Sequence, residues 1–410
     1  MQKDIIIAIP SFPGNNCEVE SIRSLKRVGI KPLFFRWNDD RSKIKDVDGF
    51  FIPGGFSYED RGRAGMIAGR DSLLDEIGRQ AEEGKVVIGN CNGAQILVES
   101  GLIPLGNGLK MCLAQNIVKN ESVGFLNEWV WVKPVCPADR CATSNWSKPI
   151  HMPIAHGEGR FTTKDKDLLK ELEDNNQLAF KYCNEKGEVS QDPIVTPNGS
   201  VYAVAGICNP AGNVVALMPH PERTLDGDPY FISLKRWIER KQDLSSLQAI
   251  SYKLQAIKVE PAPSRNIEIF IDTIITNNEE RTVETAVRRN IPNLSLKQLK
   301  YLSPDNKKPE ELLTDFSLFN PNKEIAYIRE GENVFIWNSD SKIAEKCINN
   351  PINGFMLLRI NQPDTGAMAI GGGKTGICYV LSNVTKDEVI NSCALTVFAN
   401  PHSSTLYSFA

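Results

Sequence analysis

The chain has no apolar run near the roughly 20 residues that cross a bilayer as a helix, and none of its ten cysteines belongs to a Cys-x-x-Cys pair. The first lack excludes a helical membrane protein. The amino terminus also lacks a signal peptide, because Ile5-Ile6-Ile7-Ala8-Ile9 is short and runs straight into Pro10. The second lack, with only four histidines and none clustered about the cysteines, argues against a zinc site and a disulfide framework. Reduced thiols, mostly small core residues, point to the cytoplasm. An excess of one charge is missing too: 47 Lys and Arg stand against 50 Asp and Glu. Nothing in that balance steers the chain to nucleic acid or an anionic membrane. Internal repeats and low-complexity tracts are absent.

What is present is ordinary soluble-protein composition, 41% hydrophobic in 410 residues, which favours two domains. Residues 4–9 read as a buried strand. Val19, Ile22, Leu25 and Val28 mark one face of a helix that stops at Gly29. Strands follow at 32–37 and 49–52, then a helical stripe of Leu73, Leu74, Ile77 and Ala81 ended by Gly84, then a strand at 86–88. This β-α-β-β-α-β order predicts an α/β fold with an open, mostly parallel sheet and helices on both faces. Ligands of such sheets sit at the carboxyl ends of the strands. Residues 150–220 are loop-rich with short strands at 201–207 and 213–218, and a helix at 229–241 closes a first domain over 1–242. The segment 243–265 reads as a connection.

The chemistry concentrates at Val86-Val87-Ile88-Gly89-Asn90-Cys91-Asn92-Gly93-Ala94-Gln95. An apolar strand runs into a cysteine between two glycines and a helix begins at once, the strand–turn–helix form of a nucleophile elbow. The positive end of a helix stabilises a thiolate, which is the reactive species. A buried core cysteine is the competing reading. His220, in Met218-Pro219-His220-Pro221-Glu222-Arg223, follows an apolar strand, with two prolines fixing the backbone around it. Glu222 could hold the second ring nitrogen, as the third member of a triad does. A turn histidine beside a solvated glutamate is the alternative. Attack on an amide also needs an oxyanion hole. Gly54 and Gly55, after the strand at 49–52, and the amide of Asn92 are its candidate donors.

These residues form a pattern that resembles the class I glutamine amidotransferases, and among them the glutaminase subunit of phosphoribosylformylglycinamidine synthase. The resemblance covers about residues 3–241. It rests on Phe12-Pro13-Gly14-Asn15-Asn16-Cys17, Pro53-Gly54-Gly55-Phe56-Ser57-Tyr58, Arg63-Ala64-Gly65, Cys91-Asn92-Gly93, Ile154-Ala155-His156-Gly157-Glu158-Gly159-Arg160 and the His220 segment. It implies a flavodoxin-like fold with Cys91 as nucleophile, His220 as base and Glu222 as its orienter. It places Gln95, His156, Gly157, Glu158, Gly159 and Arg160 at the glutamine pocket; without it, that loop reads as a polar turn after a short strand. Cys17 is expected to pack. Glu59, Gly62 and Ala94 depart from the family's usual residues and bear on the shape of the pocket. The resemblance implies no metal or cofactor for glutamine hydrolysis. It implies a synthetase partner that uses ATP and magnesium to turn formylglycinamide ribonucleotide into its amidine. A non-catalytic scaffold and the glutaminase of another amidotransferase are the rival readings.

The second unit, 266–361, has strands near 267–271, 297–302, 333–337 and 355–360 and helices at 279–289 and 340–349, the order of a smaller α+β, ferredoxin-like domain. The stretch from Ile343 to Ile352 bears a short likeness to the small subunit of the same synthase, with 303–332 as an insertion. Residues 362–410 are an unassigned tail. Within them Gly371-Gly372-Gly373-Lys374-Thr375 looks like a phosphate loop, but Met368 stands where its leading glycine belongs. It reads as a flexible loop.

Overall fold

The computed structural model describes residues 4–240, 254–347, 350 and 352–409. The chain divides into two compact units, residues 1–254 and 255–410.

The first unit starts β1 (Ile6–Ser11), α1 (Glu18–Arg27), β2 (Lys31–Arg36), β3 (Gly49–Ile52), α2 (Met66–Gly69), α3 (Ser72–Glu82), β4 (Val86–Asn90), α4 (Asn92–Ser100). It continues β5 (Cys112–Ala114), β6 (Ile117–Val118), β7 (Glu121–Ser122), β8 (Leu126–Pro134), β9 (Ile150–His156), β10 (Arg160–Thr162), α5 (Lys166–Asp174) and β11 (Phe180–Cys183). Strands β12 (Val204–Cys208) and β13 (Val214–Leu217) and helix α6 (Asp228–Arg240) complete it. The main sheet has the order β2-β1-β3-β4-β13-β12-β11-β8-β9. Its first five strands are parallel. From β13 onward each pairing is antiparallel. The α/β reading holds, and half of the sheet is antiparallel because the 126–156 hairpin, which carries no helical connection, extends it.

Alternation along the parallel strands builds two cores, since successive side chains leave a strand on opposite faces. Ala8, Phe50, Ile52 and Val87 face α3 and α4 through Leu73, Leu74, Ile77 and Leu97. Ile7, Ile9, Phe51, Val86 and Ile88 face α1 and α6 through Leu25, Tyr230, Phe231 and Leu234. Local chemistry sets the helix ends. Asp71 caps α3 by accepting from the Leu73 amide at 2.9 Å, and Asp165 caps α5 from Asp167 and Leu168. Residues 201–203, expected in a strand, form a 3-10 turn in which Tyr202 and Ala203 take positive φ.

The second unit holds β14 (Glu260–Pro261), β15 (Glu268–Thr273), α7 (Asn278–Arg288), β16 (Ser295–Pro304), α8 (Pro309–Leu313), β17 (Glu324–Glu330), β18 (Asn333–Asn338) and β19 (Ile343–Lys346). It ends with β20 (Phe355–Asn361), β21 (Gly373–Ser382), α9 (Lys386–Ile390), α10 (Leu395–Phe398) and β22 (Ser404–Ser408). The sheet runs β14-β22-β20-β21-β16-β15-β17-β18-β19. Only β14 and β22 pair in parallel among the described residues.

Several expectations for this region are corrected. The helix at 340–349 is in part strand β19, paired with β18; residues 348 and 349 lie outside the described residues. The likeness to a small subunit rested on that helix. Residues 303–332, read as an insertion, supply β17, which pairs with both β15 and β18. The sheet is therefore larger than a ferredoxin-like one. The stretch 362–410 is no tail: β21 lies between β16 and β20. Gly373-Lys374-Thr375 begins β21, so no helix follows the glycines and a phosphate loop is excluded. Of the expected connection, 243–253 lies outside the described residues and Glu260–Pro261 joins the sheet.

Candidate active site

Cys91 sits at the end of β4, where the sheet's parallel strands deliver their loops. Its backbone has φ 49° and ψ -109°, a strained conformation for a residue with a side chain. The strain is held from both sides. The Cys91 amide donates to Leu217 O at 2.8 Å, and its carbonyl accepts the Gln95 amide at 3.0 Å as the first turn of α4. Close packing under the turn explains the flanking glycines: a Cβ on Gly93 would stand 2.1 Å from Ile52 O, and one on Gly89 would stand 2.4 Å from Gly93 O. The residue ends up 97% buried at the helix amino terminus, with its sulfur 3.7 Å from Ala155 O.

His220 and Glu222 come from the turn after β13, the strand that pairs with β4. The His220 amide donates to Pro153 O at 2.9 Å. Its Nδ1 lies 2.6 Å from Glu222 Oε1, with both side chains buried. Glu222 Oε2 accepts from Asn90 Nδ2 at 3.1 Å, and the Tyr230 hydroxyl donates to Asn90 Oδ1 at 3.0 Å. Burial alone would push the Glu222 carboxyl up; the His220 charge and the hydrogen bonds from His220 and Asn90 outweigh it and hold the carboxyl below its ordinary range. For His220, burial disfavours the charged ring, but attraction to Cys91 and Glu222 prevails and lifts the imidazole well above its usual value. The neighbouring His156 goes the other way. Burial, followed by repulsion from His220, drives it down to about 3, so it stays neutral.

Gly54 lies directly against the nucleophile: a Cβ there would sit 3.4 Å from Cys91 Cβ and 2.7 Å from His220 Cε1. Gly55 is paired with Asn15 across an isolated bridge. Asn92 accepts from the Ser57 amide at 3.1 Å and donates to Gln95 Oε1 at 2.9 Å. Gln95 in turn donates to Glu158 O at 2.6 Å, and the Glu158 carboxylate accepts from the Ala64 amide at 3.1 Å. Thus the 53–66 loop, the start of α4 and the 156–160 loop are stitched into one wall. Asn116 holds the last of these through Gly157 O, Gly159 N and His156 O. Gly159 admits the His156 ring, which a Cβ would meet at 2.1 Å. Arg160 departs from the group: its Nε donates to Gln115 O at 2.8 Å, on the β10–β5 ribbon.

Three residues at the site were not foreseen in these roles. Asn90 orients Glu222; a polar residue ending an apolar strand was its available signal. Asp60 lies in a run of three left-handed residues, Tyr58 to Asp60. It takes a long hydrogen bond from Asn92 at 3.4 Å. Burial and the Glu158 charge raise its carboxyl from 3.8 to about 7. No sequence pattern marked it. Cys17, expected only to pack, accepts a hydrogen bond from Arg223 Nη2 at 3.0 Å beside the His220 ring.

Known proteins align with this unit. The chain is 38% identical over 259 residues to the phosphoribosylformylglycinamidine synthase subunit PurQ of Methanothrix thermoacetophila, spanning 58% of this chain and 99% of that one. It is 41% identical over 222 residues to the PurQ subunit of Saccharolobus solfataricus, spanning 53% and 89% respectively. Among solved structures it is similar to PurLQS from Thermotoga maritima, at 30% identity over 58% of this chain and 100% of that chain, with a TM-score of 0.47. The family model for the CobB/CobQ-like glutamine amidotransferase domain matches residues 5–247. With its strained cysteine, buried His–Glu pair and matched length, the chain belongs to the CobB/CobQ-like glutamine amidotransferases.

Proposed function

We propose that this chain is the glutaminase component of a phosphoribosylformylglycinamidine synthase, supplying ammonia to an ATP-dependent partner. The observation that carries the reading is the Cys91 thiol, held in a strained turn at a helix amino terminus beside a buried His220–Glu222 pair. In this mechanism the Cys91 thiolate attacks the side-chain carbonyl of glutamine. Backbone amides at Gly54, Gly55 and Asn92 receive the oxyanion. The His220 imidazolium gives its proton to the departing ammonia, then the neutral ring activates the water that hydrolyses the glutamyl thioester. Glu222, fixed by Asn90, keeps the ring oriented and supports its charge. The raised basicity of His220 suits the first, acid step.

Gln95, His156, Gly157, Glu158 and Gly159 form the wall that receives the rest of glutamine. Asp60 and Glu158 are the carboxylates suited to its α-ammonium. We assign Arg160 to the support of that wall through Gln115. Hydrolysis needs no metal or cofactor from this chain. ATP and magnesium belong to the synthetase, which converts formylglycinamide ribonucleotide to its amidine; a small subunit is a further candidate partner. Ten free thiols suit a cytoplasmic protein, and among the described residues no helix is long and apolar enough to cross a membrane.

The test is glutamate release from glutamine with and without the cognate synthetase, ATP and formylglycinamide ribonucleotide. Turnover that requires Cys91 and rises with the partner supports the assignment. Equal turnover in wild type and Cys91→Ala sinks it.

A further inference from the structure

Cys17 takes no part in the hydrolytic path, yet it shares a wall with it. The residue is fully buried, and its amide is tied to Gly54 O at 3.3 Å. A single point, the position a Cβ would take on Gly54, lies 3.0 Å from Cys17 Sγ, 2.7 Å from His220 Cε1 and 3.4 Å from Cys91 Cβ. Two thiol-bearing side chains and an imidazole therefore converge on one small space. Donor atoms of Cys17, His220 and Glu222 lie within 4.8 Å of one another. The carboxylate is already engaged, with Oε1 on His220 Nδ1 and Oε2 on Asn90. The remaining ring nitrogen, His220 Nε2, is buried with no hydrogen-bond partner among the described residues.

This is the donor set of a thiophilic cation. Soft thiolates with an imidazole select zinc-like ions, at about 2.3 Å for sulfur and about 2.0–2.1 Å for nitrogen. A tetrahedral ion at those lengths spaces its donors about 3.6–3.8 Å apart, so both cysteine side chains have to turn toward His220 Nε2 for the ion to enter. The second shell is also built. Zinc-bound imidazoles characteristically hand their other nitrogen to a carboxylate, as His220 does to Glu222. Arg223 opposes a cation, but two thiolates and Glu222 outnumber it.

We propose that Cys17 Sγ, Cys91 Sγ and His220 Nε2 form an inhibitory site for one thiophilic divalent cation such as Zn2+. Binding displaces the proton of His220 Nε2 and any protons on the two thiols and leaves the fourth position to water. A metal-held Cys91 sulfur cannot attack glutamine and a metal-held Nε2 cannot move a proton, so the ion reversibly silences the site. The inhibition rests on Cys91 being the nucleophile; the metal binding does not.

Binding is tested on the full chain without turnover. Titration with Co2+ should give one equivalent with thiolate-to-cobalt charge-transfer absorption. Cys17→Ser and Cys91→Ala should each remove about half of that intensity and weaken Zn2+ binding at least about tenfold. Cys136→Ser, a half-buried thiol elsewhere, should change neither. Zn2+ should also protect Cys91 from iodoacetamide, with its midpoint raised by a similar factor in Cys17→Ser. Unchanged binding and protection in Cys17→Ser would overturn the proposal. Should that variant not fold, zinc-edge X-ray absorption of the wild-type chain at one equivalent decides: two sulfurs and one imidazole support the site, and one sulfur or none refutes it.

Discussion

The two units bury comparable sheets but use their polar residues differently. In the first, parallel strands β1, β3, β4 and β13 all finish at the same edge, so their following turns bring Cys17, Gly54, Cys91 and His220 together. In the second, the antiparallel order sends successive turns to opposite edges. Its buried polar group, Glu268 with Arg329 and the Tyr301 hydroxyl, instead lies within the sheet. Arg329 there also covers the rings of Phe270 and Phe409. In both clusters the carboxylate is held by two partners. Strand direction decides which one stands where a substrate can arrive.

Single substitutions should separate the two behaviours. Cys91→Ala is expected to cost the largest factor, at least about 10³ in glutamine hydrolysis assayed with the synthetase, since no other group can form the thioester. Glu222→Gln keeps the shape but loses the charge that supports the imidazolium, and should lower kcat roughly 10²- to 10⁴-fold with a smaller change in KM. In the second unit, Arg329→Met strands the mostly buried Glu268. Urea unfolding should register a loss of about 3 kcal/mol, while alkylation of Cys91 proceeds at the wild-type rate. An altered alkylation rate would show that the two clusters are coupled.

The smallest effect concerns pH. Asp60 is raised from 3.8 to about 7, so between those values the native chain keeps a proton that the unfolded chain has lost. Stability therefore falls as pH rises through that window and levels off above it. Asp60→Asn should flatten the slope in urea midpoints taken at pH 5 and pH 8. The same ionisation should lower the KM for glutamine several-fold as pH rises through about 7. A KM profile identical in Asp60→Asn would remove Asp60 from the pocket.

The legible parts of the sequence were those where one local rule acts. The short apolar run 49–52 closed by Pro53-Gly54-Gly55 and the apolar stripe in 72–82 announce themselves. The Gly-Asn-Cys-Asn-Gly turn does so too, since only glycine tolerates the approach to Ile52. Residues 340–349 misled because a short polar stretch with scattered apolar residues fits either period, and pairing with β18 decided it. Strands β8 and β21 take their identity from partners distant in sequence, which no window contains. The site shows the same limit. Cys91, His220 and Glu222 sit in recognisable turns, whereas Asp60 is drawn to the site only by burial beside Glu158, and Cys17 by the way Gly54 folds over it.

Strand β21 sets an order of events during synthesis. The parallel half of the first unit and its closing helix α6 are complete once residue 240 has left the ribosome, so the hydrolytic site can assemble while the rest is still being made. The second sheet has no such freedom. Among the described residues strands β16 and β20 are joined in the sheet through β21, which follows both of them in the chain. Until it emerges, the block from β16 to β19 and the lone strand β20 wait with open edges, since β22 comes later still. A message cut short there would yield a finished catalytic half tethered to an aggregation-prone one.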